Sequence, residues 1–147
     1  RLGIAQKMGA DVTLNFKNCD VIDEIMKSTG GRGADSAIEA LGTQATFESA
    51  LRSIKPGGTL SSLGVYSEDL KIPLSAFAAG LGDHKINTAL CPGGKERMRR
   101  LMNVLASNRL DLGLLVTHQY KLDDIVAAYD LFAHQRDGVL KVAIKPQ

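Results

Sequence analysis

The sequence predicts an α/β chain built on a parallel sheet, and three observations carry that expectation. Strand-length apolar segments alternate with amphipathic helices of about ten residues, in the order β-α-β-α-β. Capping residues or Gly/Pro turns stand at the switches between them. The composition is that of one ordinary soluble domain: 147 residues, 44% hydrophobic, 23% charged, net charge +2. A chain of this length buries about 70% of its unfolded surface.

The chain opens without a methionine, inside the pattern Leu2, Ile4, Ala5, Met8, which reads as the tail of an amphipathic helix stopped at Gly9, as though its beginning lay upstream. Asp11 to Phe16 (DVTLNF) alternates like a short strand. Asp20 then caps a helix with Val21, Ile22, Ile25 and Met26, ending near Gly30-Gly31. Ala34 to Ala40 is a second strand, Gly42 turns the chain, and Thr43 caps a helix with Phe47, Ala50, Leu51 and Ile54 on one side. Lys55-Pro56-Gly57-Gly58 predicts a turn before a third strand, Thr59 to Val65.

An irregular stretch follows, with Pro73 and an apolar run from Leu74 to Leu81, then a fourth strand, Lys85 to Leu90. Pro92-Gly93-Gly94 breaks it. Residues 95 to 107 predict a helix with Lys95, Glu96, Arg97, Arg99 and Arg100 on one side and Met98, Leu101, Met102 and Leu105 on the other. A strand at Leu115 to Tyr120, a helix capped by Asp123 with Ile125, Ala128, Tyr129 and Phe132 inward, and a strand from Val139 to Ile144 complete the chain. No repeat or low-complexity tract interrupts it.

In a parallel sheet ligands sit at the carboxyl ends of the strands, so each strand-to-helix turn is a candidate site. The turn Ala40-Leu41-Gly42-Thr43 combines a glycine that admits close backbone approach with a helix start that offers N–H groups. Leu63-Gly64-Val65-Tyr66 is uncharged, and its backbone suits a flat, amide-bearing ring. Each alone is equally compatible with an ordinary turn. Gly30-Gly31-Arg32-Gly33 precedes a strand, the wrong side for a dinucleotide fingerprint, and no phosphate-binding G-x-x-x-x-G-K-[ST] occurs.

His84, His118 and His134 stand far apart without zinc spacing, and neither Ser61 nor Ser62 sits in a nucleophile elbow, so they read as structural. Cys19 and Cys91 form neither a disulfide framework nor a CxxC knuckle, which makes a reducing compartment, the cytoplasm, the default. No apolar run approaches the roughly 18 to 20 residues of a membrane span, and the first residues carry no signal-peptide core. The basic helix face at Lys95 to Arg100 reads as a solvated surface, since the chain is nearly charge-balanced and the face lacks interleaved aromatics. Nucleic-acid and membrane partners are therefore not expected.

The collinear set GADVTLNFKN, GADSAIEALG, SIKPGGTLSSLGV, HKINTALCPGGKERM, LVTHQY and DGVLKVAI resembles the zinc-dependent medium-chain alcohol dehydrogenases, most closely their bacterial secondary-alcohol branch, over nearly the whole chain. The resemblance implies the carboxyl-terminal part of a two-domain subunit: a partial Rossmann, doubly wound parallel sheet over residues 1–91, then residues 92–147 as the return segment completing a GroES-like catalytic domain. It implies NAD or NADP as coenzyme, zinc in the full-length family, and hydride transfer between a secondary alcohol or ketone and nicotinamide. No zinc ligand or catalytic residue of the family falls within the chain, so the 147 residues alone are expected to be inactive.

Residue by residue, the resemblance places Arg1 by the adenosine ribose and Phe16 where NADP-using relatives carry a tyrosine, a modest lean toward NAD. Ala40, Leu41 and Thr43 match the turn lining the ribose and pyrophosphate. Leu63, Gly64 and Val65, with Ala89 and Leu90, match the segments that hold the nicotinamide carboxamide. Lys141 stands at a pyrophosphate-binding arginine, keeping the charge without the bidentate fork. The strand Lys85–Leu90 resembles one that pairs with its twofold mate in an oligomer. In the strand order 3-2-1-4-5-6, Asp11 to Phe16 would be strand 3 and would have no partner within this chain. A different class of reading is a stand-alone dinucleotide-binding or oligomerisation module without catalysis.

Overall fold

The computed structural model describes residues 1–89 and 93–146. In chain order its elements are α1 (Leu2–Lys7), α2 (Val21–Ser28), β1 (Ala34–Glu39), α3 (Gln44–Ser53), β2 (Ile54–Ser62), β3 (Lys85–Thr88), α4 (Lys95–Ala106), β4 (Val116–Lys121), α5 (Ile125–Ala133) and β5 (Lys141–Lys145), with short 3-10 turns between some of them. They form two compact units, Leu14–Gly93 and Arg1–Thr13 with Gly94–Gln147.

In the first unit, β1, β2 and β3 make a parallel sheet in that order. Alternation sorts its residues: Ala37 and Glu39 of β1 lie beside Leu60 and Ser62 of β2 on one face, while Ile38 lies beside Ser61 on the other. The helix α3 covers the first face, burying Phe47 and Leu51 against Ile54, Leu60 and Ala76, with Ala37, Tyr66, Phe77 and Ile86 packed around them. The opposite face is open, and Ile38 is 70% exposed.

Local signals work at both helix starts. The Asp20 carboxylate accepts from the N–H groups of Ile22 at 2.9 Å and Asp23 at 3.1 Å, capping α2. Thr43 and Thr46 form a reciprocal capping box at α3. Asp20→Ala is expected to cost about 1 kcal/mol, and Asp20→Ser to restore most of it, as read from urea midpoints.

Three local expectations change. Asp11 to Phe16 is not a strand, because a strand exists only by pairing and no described element lies hydrogen-bonded beside it. Lys55 to Gly58 is not a turn between elements. It loops out as an irregularity within β2, where the register with β1 shifts between Ala34 opposite Ile54 and Ser36 opposite Thr59, and the Gly57 N–H donates to the Gly82 carbonyl at 2.6 Å. The strand that follows ends at Ser62 rather than Val65, because Glu39 and Ser62 are the last paired residues of β1 and β2.

In the second unit β4 and β5 form a two-stranded parallel sheet, joined by α5 as crossover. Ala128 and Val139 are buried there. Asp124, not Asp123, precedes α5, because Leu122–Asp124 form a 3-10 turn first. Tyr129 and Phe132 do not point into a core: they are 70% and 50% exposed, rimming an open hollow of about 280 Å³ with Ile125, Val142 and Ile144. The helix α4 forms as its periodicity predicts, yet Met98, Leu101 and Met102 on its apolar side are exposed. None of the described helices is long and apolar enough to cross a membrane.

Candidate functional site

The carboxyl ends of β1 and β2 bring the two candidate turns together. The Leu63 N–H donates to the Glu39 carbonyl at 2.7 Å, fixing the exit of β2 against the last residue of β1. Beyond that point the turns touch backbone to backbone. A Cβ on Gly42 would lie 2.3 Å from the Val65 carbonyl oxygen, and one on Gly64 would lie 2.4 Å from the Gly42 nitrogen. Neither turn could approach the other with a larger residue at these positions.

One side chain ties the junction. Glu39 is 3% exposed, and its Oε1 accepts from the N–H groups of Leu41 at 2.7 Å and Gly42 at 2.8 Å and from the Thr46 hydroxyl at 2.8 Å. Its Oε2 accepts from the Tyr66 hydroxyl at 2.6 Å. With its one proton given to Glu39, the Tyr66 oxygen accepts from the Ser62 hydroxyl at 2.6 Å, and the Ser62 oxygen stands 3.3 Å from Oε2. Burial alone pushes the carboxyl up, but the bonds from Tyr66, Gly42, Leu41 and Thr46 outweigh it and hold the group at about 2. Burial and then the bond to Glu39 push the Tyr66 phenol up. Tyr66 is further held by an edge-on contact with Phe47, ring centroids 6.2 Å apart.

This network occupies the N–H groups of the turn itself. Leu41 and Gly42 spend theirs on Glu39, and the Thr43 N–H donates to the Thr46 hydroxyl at 3.3 Å. Beside the turns lies a hollow of about 210 Å³, walled by Gly42, Thr43, Tyr66 and residues 67–70, which include Glu68 and Asp69. Gln44 braces it through paired bonds to the Lys71 backbone at 2.8 and 2.9 Å. Acidic walls and occupied donors suit an uncharged or cationic group better than a phosphate. The side chains of Leu41, Leu63 and Val65 project outward, Val65 at 84% exposure, so the junction offers apolar contact flanked by backbone polar groups.

Of the other sequence-predicted residues in this unit, Ala40 and Ala89 are exposed at the ends of β1 and β3, while Phe16 is 77% exposed on the unpaired segment before α2. Leu90 falls outside the described residues. Arg1 and Lys141 belong to the other unit, where they line one hollow of about 380 Å³ with Met8, Leu115, Phe132 and Leu140. Sequence reasoning passed over Glu39 and Thr46, read Ser62 as structural and named Tyr66 only as the last residue of the second turn. The signal available was a carboxylate at the last position of an otherwise weakly polar strand, directly before a glycine turn.

Among the described residues no group of three or more His, Cys, Asp or Glu converges in a way that could hold a metal. His118 is engaged with the Thr117 hydroxyl at 2.9 Å and the Asp137 carboxylate at 3.1 Å, and His134 Nδ1 with Asp130. The described residues therefore do not fit a zinc site, and no chemical step is derived through one.

Residues 1–107 match the family described as zinc-binding dehydrogenase. An alcohol dehydrogenase of Cupriavidus necator is 83% identical over 146 residues, covering 99% of this chain and 40% of that protein. An NADP-dependent isopropanol dehydrogenase of Clostridium beijerinckii is 35% identical over 143 residues, 95% of this chain and 41% of that one. Among solved structures, zinc dependent alcohol dehydrogenase 2 of Streptococcus pneumonia superposes with a TM-score of 0.87 at 32% identity, over 98% of this chain and 41% of that one. The chain thus spans about two fifths of the length of the relatives it matches.

Proposed function

We propose that this chain, which belongs to the zinc-binding dehydrogenase family and to its medium-chain alcohol dehydrogenases, forms the nicotinamide-facing part of an enzyme that moves a hydride between a secondary alcohol or its ketone and NAD(P). The observation that carries the reading is the junction of two turns at the carboxyl ends of neighbouring parallel strands, where the fold class places its ligands. When bound, the nicotinamide ring gives or accepts the hydride.

The chain's own residues supply position. Leu41, Leu63 and Val65 offer apolar contact to a flat ring, and backbone groups of residues 63–65 and Ala89 meet its carboxamide, which needs both donors and acceptors. Ala40 and Thr43 lie along the adjoining ribose. Lys141 and Arg1, in the other unit, carry positive charge of the kind that a pyrophosphate and an adenosine ribose take. NAD is modestly favoured over NADP, since Phe16 has no hydroxyl for a 2′-phosphate.

In this reading the chain is the carboxyl-terminal portion of a longer polypeptide, residues 1–91 finishing a Rossmann domain and 92–147 a catalytic domain. Two observations support it: the length of the relatives, and the uncovered apolar surface on α4 and on the outer face of β1. The edge strand β3 is the surface for pairing with a second copy. A cytoplasmic setting agrees with the sparse cysteines.

Calorimetry with NAD and NADP, followed by a zinc-supplemented assay with propan-2-ol, tests these statements. The full-length protein is expected to bind a dinucleotide and turn over, and the isolated 147 residues to bind weakly and show no turnover. Robust turnover by the isolated chain would refute its dependence on the remainder. A stable oligomer silent toward both dinucleotides would favour an assembly module instead.

A further inference from the structure

We propose that Glu39 is a positioning residue for hydride transfer: a single buried carboxylate that sets the spacing and tilt of the two turns on which the nicotinamide ring rests. This rests on the coenzyme reading above. The four donors to its carboxylate come from three places in the fold. Leu41 and Gly42 lie in the turn after β1, Thr46 in the first turn of α3, and Tyr66 in the turn after β2, where Ser62 at the end of β2 donates in turn to the Tyr66 oxygen.

No other described side chain bonds to both turns at once. The two oxygens divide the work: Oε1 closes the first turn onto α3, and Oε2 draws the second turn against it, passing so close to Gly64 that a Cβ there would lie 2.4 Å from it. All four partners donate, so an ionised carboxylate, which only accepts, satisfies them without conflict. An amide in its place must turn its NH2 toward one set of donors. The backbone N–H groups cannot reverse role but the Tyr66 hydroxyl can, so the amide nitrogen would face Tyr66, replace its short charge-assisted bond with a neutral one and loosen the second turn selectively.

The test uses the full-length protein and two ligands: NADH, which carries the ring, and ADP-ribose, which lacks it. Glu39→Gln is expected to weaken NADH about tenfold, with a matching or larger fall in kcat, while ADP-ribose affinity stays within about twofold. Tyr66→Phe removes one donor and leaves the carboxylate its other three. It is expected to show the same selectivity at smaller size, and it carries the comparison if Glu39→Gln does not fold. Equal loss of both ligands, or loss of neither, in a variant that melts cooperatively would overturn the positioning role. A parent protein that binds neither ligand would instead overturn the coenzyme reading itself.

Discussion

Gly42→Ala is expected to destabilise the unit Leu14–Gly93 by about 3 to 5 kcal/mol, more than an ordinary turn substitution, because two independent costs fall on one methyl group. Gly42 has φ +92°, a region that alanine enters only with strain, and its Cβ would sit 2.3 Å from the Val65 carbonyl oxygen and 2.8 Å from the Val65 nitrogen and carbonyl carbon. Backbone cannot swing aside as a flexible side chain does. Relief requires the second turn to move as a body, and Glu39 holds that turn through Tyr66. Gly57→Ala separates the two costs, since Gly57 has φ +72° with open space around its Cβ position and pays only the conformational one. Urea denaturation with unchanged m-values reads both. A Gly42→Ala midpoint no lower than that of Gly57→Ala would show that the turns do not meet as described.

Acid should remove much of the contribution of Glu39, and Glu39→Gln should remove the dependence. The carboxyl titrates at about 2 in the folded chain against 4.5 ordinarily. A depressed folded value means the stabilisation is fully present above about pH 4.5 and fades as the pH falls toward 2, amounting to about 3 kcal/mol between those limits. The parent should therefore lead Glu39→Gln by about that amount at pH 7, and the two denaturation curves should converge as the solution is taken from pH 5 to pH 3. A constant gap across that interval would mean that the carboxylate is not held by the four donors that surround it.

Much of this fold could be read from neighbouring residues. Asp20 and Thr43 cap the helices predicted for them, and Gly9 follows the end of α1. The collinear resemblance named the family that residues 1–107 match. Misreadings arose where an element depends on a distant neighbour. Asp11 to Phe16 has strand-like alternation but no edge to pair with. Tyr129 and Phe132 follow helical spacing, yet nothing described covers them. Lys55 to Gly58 has turn chemistry but is carried inside a strand, because β1 pairs with β2 on both sides of it.

The starts of α2 and α3 and the family were thus legible from contacts within about four residues or from motif order, since caps are local chemistry. The junction of the two turns was not, because its meaning comes from convergence. Residues 39, 41, 42 and 46 are neighbours in sequence, but Ser62 and Tyr66 stand 23 and 27 positions from Glu39, and only parallel pairing of β1 with β2 carries them to it. A glutamate at the end of a strand is an ordinary surface residue until four donors enclose it, and that enclosure exists only in three dimensions.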